Sequence, residues 1–395
     1  MEEAYIVSYG RSAVGKGNKR GAFTNDRPDD IAAEVLKGVI DRIEGPFDPN
    51  LIEDVIVGCA YPEAVQGNNF ARTIALRAGL PYTVAGQTVN RFCSSGLQTI
   101  ATAANAIMAG QSDVLVAGGV EFMSAVPMLG NEPTNNPTLQ REGVGAGTPM
   151  GLTAENVAEK YGVSREDQDA FAVQSHQRAL AAQQAGRLAD EIIPVQVNKV
   201  TYTAEGPVVT KEEYKTDEGI RPGTNMESLA KLPTIFKANG SVTAATSSQI
   251  SDGCGFVVLM SGKKVKELGI KPIAKFVGFK AVGVDPKLMG IGPAYAIPEV
   301  LKLADLTLDD IDLIELNEAF ASQALASMRE LGINQEITNV NGGAISLGHP
   351  LGASGAILTA RLLAEMKRRP DSKYGIVSMC IGVGMGAAGI FEYIH

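Results

Sequence analysis

Tryptophan is missing from these 395 residues, only 6% are aromatic, and histidine occurs three times. A core poor in large rings must close by other means, and forty-four glycines point to close backbone approaches and tightly packed helices. Cysteine is scarce too. The four, at 59, 93, 254 and 380, have no metal-ligand spacing, and a chain this long needs no disulfide staples. Reduced thiols and a cytoplasmic location are expected. Positive charge is in deficit, with 35 Lys and Arg against 44 Asp and Glu, a net of −9, which argues against a nucleic-acid surface. It leaves room for a phosphate-bearing small molecule held by a few local contacts. Long apolar runs are also lacking. "MEEAYIVSYGRS" has no signal-peptide core. Five glycines interrupt "GIVSMCIGVGMGAAGIF", so it reads as a buried strand–turn–strand and no membrane span is expected.

What is present is an alternation. "EDVIVGCAY" (53–61), "GQTVNRFC" (86–93) and "SDVLVAGGVE" (112–121) are short apolar runs separated by helix-like segments. After Cys93, apolar residues recur at 97, 100, 104, 107 and 108, which is helical spacing, with Gly110 placed to end the helix. Its small side chains put that helix in the interior. Strands alternating with helices predict an α/β fold with a mostly parallel sheet. The order recurs in the last third: 310–320 resembles the first strand, 337–366 the strand–cysteine–helix unit and 374–394 the third strand. Val89-Asn90 against Val340-Asn341 sets an offset of 251 residues. The expected division is an N-terminal half, 1–121, completed by 251–270; an inserted loop domain, 122–250; and a C-terminal half, 271–395. The insertion contains one clear helix (164–186), with Ser164 and Asp167 as a capping pair and Gly186 at its far end.

Cys93 lies where a strand enters a helix, followed by Ser94, Ser95 and Gly96, none of which fills a core. Unsatisfied N–H groups and the helix dipole at such a place lower a thiol pKa. Small neighbours admit a carbonyl, and the cysteine's own N–H can face a developing oxyanion. On that context alone, nucleophile and buried structural thiol are equally supported. "GGAISLGHPLGASGA" (342–356) places His349 in a loop before a helix, crowded by small residues. Cys380 ends another strand before glycines, and Asn317 ends the strand of "NEAF". Gly384, Gly386 and Gly389 fit a dinucleotide fingerprint, but six residues leave no room for the rest of that unit.

"NRFCSSGLQ", "NEAFA", "GGAISLGHPLGASG" and "CIGVGMGAAGIFE", in this order, resemble the thiolase family. "GGVEFMS", "PMGLTAENVAEKYG", "VTAATSSQISDG" and "MGIGPAYAIP" extend the resemblance along essentially the whole chain. It implies a thiolase-like fold of two duplicated half-domains in αβαβα layers. It implies an acyltransferase that cleaves 3-ketoacyl-CoA with coenzyme A, or runs the reverse Claisen condensation, through an acyl thioester on Cys93. By the same resemblance His349 is base and oxyanion-hole donor, Cys380 the acid/base at carbon, and Asn317 the holder of an oxyanion-hole water. The N–H groups of Cys93 and Gly382 make the second hole. Coenzyme A enters as substrate, with no permanently bound cofactor and no metal. Its contacts are implied to be Ser248, Met150, Leu152, Phe236, Met289, Ala319 and Phe320, with Arg221 near the nucleotide end.

Two departures stand out. Ala245-Thr246 replaces a common Gly-Asn, and Pro149 stands where short-chain biosynthetic members often carry His, which favours a degradative enzyme of fatty-acid β-oxidation. The resemblance also implies a homodimer or homotetramer, with β-oxidation enzymes as possible partners. A short-chain acetyl-CoA acetyltransferase, a non-catalytic acyl-CoA-binding relative and a ketoacyl synthase are the competing readings; His176 and His395 suit the last poorly. His176 reads as structural or solvated, and Cys59 and Cys254, in apolar strands, as packing residues.

Overall fold

The computed structural model describes residues 2–395. Its first half contributes β1 (Ala4–Arg11), β2 (Gly15–Lys16), β3 (Asp54–Gly58), β4 (Ala85–Val89) and β5 (Val114–Phe122). A hairpin, β6 (Val195–Thr203) and β7 (Gly206–Tyr214), stands apart as a two-stranded sheet. Then come β8 (Ser251–Ser261), β9 (Ala274–Gly283), β10 (Leu313–Leu316), β11 (Tyr374–Ile381) and β12 (Met385–Tyr393).

The main strands follow the order β10-β11-β12-β9-β1-β8-β5-β3-β4, joined at the centre by only two register pairs, Tyr5 with Lys275 and Ile6 with Ala274. Outward from that joint each half repeats one pattern. β8 and β12 run against their neighbours, whereas β3–β5 and β10–β11 are parallel. Each half is therefore a mixed sheet whose strands mostly share one direction, as the repeated order of elements predicts. Outer helices Pro28–Asp41 and Phe70–Arg77 cover the first half, and Gly292–Ala304 and Ala321–Leu331 the second. Helices Ser95–Met108 and Ser354–Lys367 share a central core with the inner faces of both halves, which completes five layers.

The two central helices touch at their first turns because both lack a side chain there. A Cβ on Gly96 would lie 2.8 Å from the Ala356 nitrogen, and one on Gly355 would lie 2.2 Å from the Leu97 nitrogen. Any other residue would push the helix starts apart, and the loops before those starts carry Cys93 and His349.

Two expectations need correction. β1, β8 and β9 escape the sequence reading; β1 and β8 are buried almost throughout and so show no alternation to read. Residues 337–341 do not form the expected strand, because Asn339 turns left-handed (φ +47°) and its side-chain amide bonds both the N–H and the carbonyl of Leu316. A single bridge, Ile314 with Thr338, is what remains of that ladder. Between β5 and β6, helix Arg165–Gln184 starts at the Ser164–Asp167 capping box and ends before Gly186 at φ +73°. Among the described residues no helix is long and apolar enough to cross a membrane.

Candidate active site

Cys93 occupies the middle of the 3-10 turn Phe92–Ser94, between β4 and helix Ser95–Met108. The turn is fixed locally: Ser95 Oγ accepts from the Arg91 N–H at 2.9 Å and donates to the Phe92 carbonyl at 2.6 Å. The sulfur is half-buried against an apolar cluster of Ala60, Met123 and Leu351, with Tyr61 and Phe92 beside it. N–H groups of Gly382 and of Cys93 itself point at it and favour the thiolate, as helix-start geometry predicts. They do not win. Burial, reinforced by the negative charge of Glu121, pushes the thiol up to about 11, so Cys93 is protonated at neutral pH. The expected depressed pKa is overturned by desolvation.

His349 is buried, and desolvation lowers its pKa to about 4, so the ring is neutral. Its tautomer follows from its neighbours. Ser354 Oγ donates to the Pro350 carbonyl at 3.1 Å and has no second proton, so at 2.5 Å it accepts from Nδ1–H. The Nε2 lone pair is left facing the Asn317 amide, 3.3 Å away. Asn317 in turn hangs from β11 through its N–H to the Ser378 carbonyl. Two residues further along β11, Cys380 is fully buried, its thiol pushed upward by burial and by the neighbouring Cys93. Strand ends of the second half thus bring Asn317, Cys380 and Gly382 to the helix start of the first half.

Cys380 also faces a second apolar cluster with Ala154, Val242, Met289, Ala319 and Phe320, against which Met150 packs. The Phe236 ring lies edge-on to Phe320 at 6.1 Å and covers Gly151. Ser248 is half-buried and donates its N–H to the Ala319 carbonyl, with Ser247 bridged to Phe320. Leu152 is half-buried outside this cluster, and Arg221 is exposed on a turn beyond it. Thr246, at one of the departures from the family pattern, is buried and closes a capping box with Thr243, so the turn before Ser248 holds without glycine.

Three supporting residues were not legible in the sequence. Ser354 sets the histidine tautomer. Glu318, fully buried next to Asn317, accepts from Ser175 (2.7 Å), Asn339 (2.9 Å) and the Ile345 N–H (3.2 Å). Glu121, also buried, accepts from the N–H groups of Ala60, Tyr61 and Gly352 and from Gln66. A lone acid inside the apolar run "VLVAGGVEF" was the available signal for Glu121.

Comparison with known proteins agrees with this geometry. The "Thiolase, N-terminal domain" family model matches residues 4–263 and the "Thiolase, C-terminal domain" model residues 270–393. The chain is 54% identical over 394 residues to a 3-ketoacyl-CoA thiolase of Bacillus subtilis (strain 168), covering 99% of this chain and 100% of that one. The dimeric peroxisomal thiolase of Saccharomyces cerevisiae superposes with a TM-score of 0.89 at 40% identity, over 99% of this chain and 97% of that one. The Bacillus anthracis acetyl-CoA acetyltransferase gives 0.87 at 40% identity, over 100% and 99%. The chain belongs to the thiolase family and is an acyltransferase.

Proposed function

We propose that this enzyme cleaves 3-ketoacyl-CoA thiolytically, giving acetyl-CoA and an acyl-CoA shortened by that unit. The observation that carries the reading is the convergence of Cys93, Asn317, His349 and Cys380 from both halves on one buried place, with two thiols held protonated and one imidazole held neutral. In the first step Cys93 sulfur attacks the 3-carbonyl as its proton passes to His349 Nε2. Burial holds the thiol protonated and the ring neutral before substrate arrives, which favours proton transfer accompanying C–S bond formation. The C2–C3 bond then breaks, its electron pair leaves with C2, and Cys380 protonates that carbon as acetyl-CoA departs.

Coenzyme A enters next and gives its thiol proton to the Cys380 thiolate. Its sulfur attacks the thioester, and Cys93 leaves, recovering the proton from His349. Asn317 with a water and His349 would hold one thioester oxygen, and the N–H groups of Cys93 and Gly382 the acyl oxyanion. Pantetheine would run past Ser248 between Met150, Met289, Phe236 and Phe320, with Leu152 flanking and the nucleotide toward Arg221. The apolar cluster of Ala60, Met123 and Leu351, against which Cys93 packs, would then face the acyl tail, which favours a degradative role over handling acetyl groups alone.

A homodimer is part of this reading. β4 is a sheet edge that leads straight into Cys93, and exposed Tyr82 (86%) and Leu76 (49%) flank it. Four free cysteines suit a cytoplasmic enzyme. The test is thiolysis with coenzyme A across 3-ketobutyryl-, 3-ketooctanoyl- and 3-ketolauroyl-CoA, following acetyl-CoA. Turnover of the longer substrates supports the reading. Activity confined to 3-ketobutyryl-CoA supports the acetyltransferase instead, and no turnover contradicts both.

A further inference from the structure

His176 takes no part in the chemistry, yet it is a buried imidazole on helix Arg165–Gln184 with a specific partner. Arg221 donates its backbone N–H to His176 Nδ1 at 3.2 Å. A backbone nitrogen can only donate, so Nδ1 carries the lone pair and Nε2 the proton. Burial and the Arg221 cation lower the ring pKa to about 4, which keeps this acceptor available at neutral pH.

The partner matters because of where Arg221 sits. The strap leading to it is anchored residue by residue: Asp217 accepts from Arg11 and the Val14 N–H, both at 2.7 Å. Glu218 accepts from the Lys16 N–H at 2.8 Å, and the Gly219 carbonyl from Gln249 at 2.9 Å. Ile220 packs against the cluster of Ala179, Ala182 and Leu347. Beyond that point the segment bonds to itself. Thr224 Oγ1 closes the turn on the Arg221 carbonyl, Gly223 sits at φ +81°, and Asn225 caps the short helix that follows. Among the described residues, between Gly219 and Leu229, whose carbonyl accepts from Arg165 at 2.7 Å, the His176–Arg221 bond is the one hydrogen bond that ties this segment to another element.

We propose that His176 is a positioning residue for the nucleotide end of coenzyme A, holding the turn from which the Arg221 guanidinium reaches the ligand's phosphates. This rests on the reading of Arg221 given above. The same helix works in two directions, since Ser175 bonds Glu318 beside Asn317 while His176 accepts from the Arg221 turn. The class of ligand follows: an acyl acceptor bearing a nucleotide should feel His176, and one that ends at pantetheine should not.

The experiment compares coenzyme A with pantetheine as acyl acceptor in thiolysis by wild-type, His176→Leu, His176→Asn and Arg221→Ala enzymes. Asn places an oxygen near the position of Nδ1 and should largely restore the bond. Losing a single hydrogen bond to an exposed turn predicts about a five- to tenfold rise in the KM for coenzyme A in His176→Leu, with kcat and pantetheine kinetics unchanged. In the His176→Leu/Arg221→Ala double variant the effects should not add. Equal losses with both acceptors would mean a merely structural residue and overturn the proposal. If Arg221→Ala raises that KM and His176→Leu does not, His176 is excluded while Arg221 keeps its role. If neither variant separates the two acceptors, the nucleotide does not bind at Arg221 and both readings fall.

Discussion

The two halves of this molecule present the same strand ends and helix starts, and they fill them differently. Gly58 pairs with Gly119 in the first half as Leu316 pairs with Ser378 in the second. The next positions on β3 and β10 are Cys59 and Asn317, and two residues along β5 and β11 stand Glu121 and Cys380. The 3-10 turns before the central helices match Cys93 with Gly352. In the twin site, the Glu121 carboxylate accepts the Gly352 N–H at 2.9 Å and the Ala60 N–H at 2.6 Å, with the Cys59 thiol 3.6 Å away. Every group there already has a partner within the protein. On the active side, the corresponding groups are thiols and an amide with bonding capacity left over. One frame has been closed for stability and its copy left open for substrate.

The comparison breaks most visibly at Cys93. Cys93→Ala should lower thiolysis by at least ~10⁴-fold, whereas Cys59→Ala at the silent site should leave kcat within about twofold; steady-state kinetics on both separates the two sites. Cys380→Ser keeps the shape but offers a much weaker acid, and about 10²- to 10⁴-fold should be lost in kcat. Proton exchange at the acetyl-CoA methyl, read by deuterium wash-in, should fall with it. Retained exchange would give the carbon acid/base role to another group.

Closing the silent site depends on a carboxyl group whose two oxygens face only donors. Glu121→Gln turns an NH₂ toward at least one of them and should cost ~2–3 kcal/mol, measured by denaturant unfolding. A change below about 0.5 kcal/mol would mean that the twin site contributes little to stability. Among the active-side residues the smallest effect is expected at Ser354. Ser354→Ala removes the acceptor for His349 Nδ1–H, freeing the ring to flip, and should lower kcat by about tenfold with little change in KM. The pH dependence sharpens the same picture. Because burial holds the Cys93 thiol near 11, its alkylation by iodoacetamide should rise about tenfold per pH unit from pH 6 to 10. A plateau near pH 7 would indicate a thiolate that this environment does not support.

Much of the pattern could be read in advance. Cys93, Asn317, His349 and Cys380 stand in glycine-rich, motif-dense stretches, and the structure gathers them as the motifs imply. The repeat was legible in order and in the register of its strand, but not in the spacing to the helix that follows. Val89-Asn90 against Val340-Asn341 gave 251 residues, which the bridge of Ile314 with Thr338 matches to the pair Ile56 with Gln87, whereas the helix starts Ser95 and Ser354 lie 259 apart because the second copy adds the short helix Ala344–Leu347 before its central helix. Glu121 and Glu318 stayed hidden because each bonds groups far away in sequence, and Ser354, only five residues from His349, because a serine at a helix start reads as a cap. The pKa of Cys93 was misjudged for a related reason: the dipole is a local property, and burial is not.

The most direct test is intact-protein mass spectrometry after mixing the enzyme with 3-ketooctanoyl-CoA and no free coenzyme A, followed by peptide mapping. The asymmetric-twin account predicts one hexanoyl group per chain, on Cys93, with Cys59, Cys254 and Cys380 unmodified and acetyl-CoA released. An adduct on another cysteine, or bound substrate with no adduct, would contradict it.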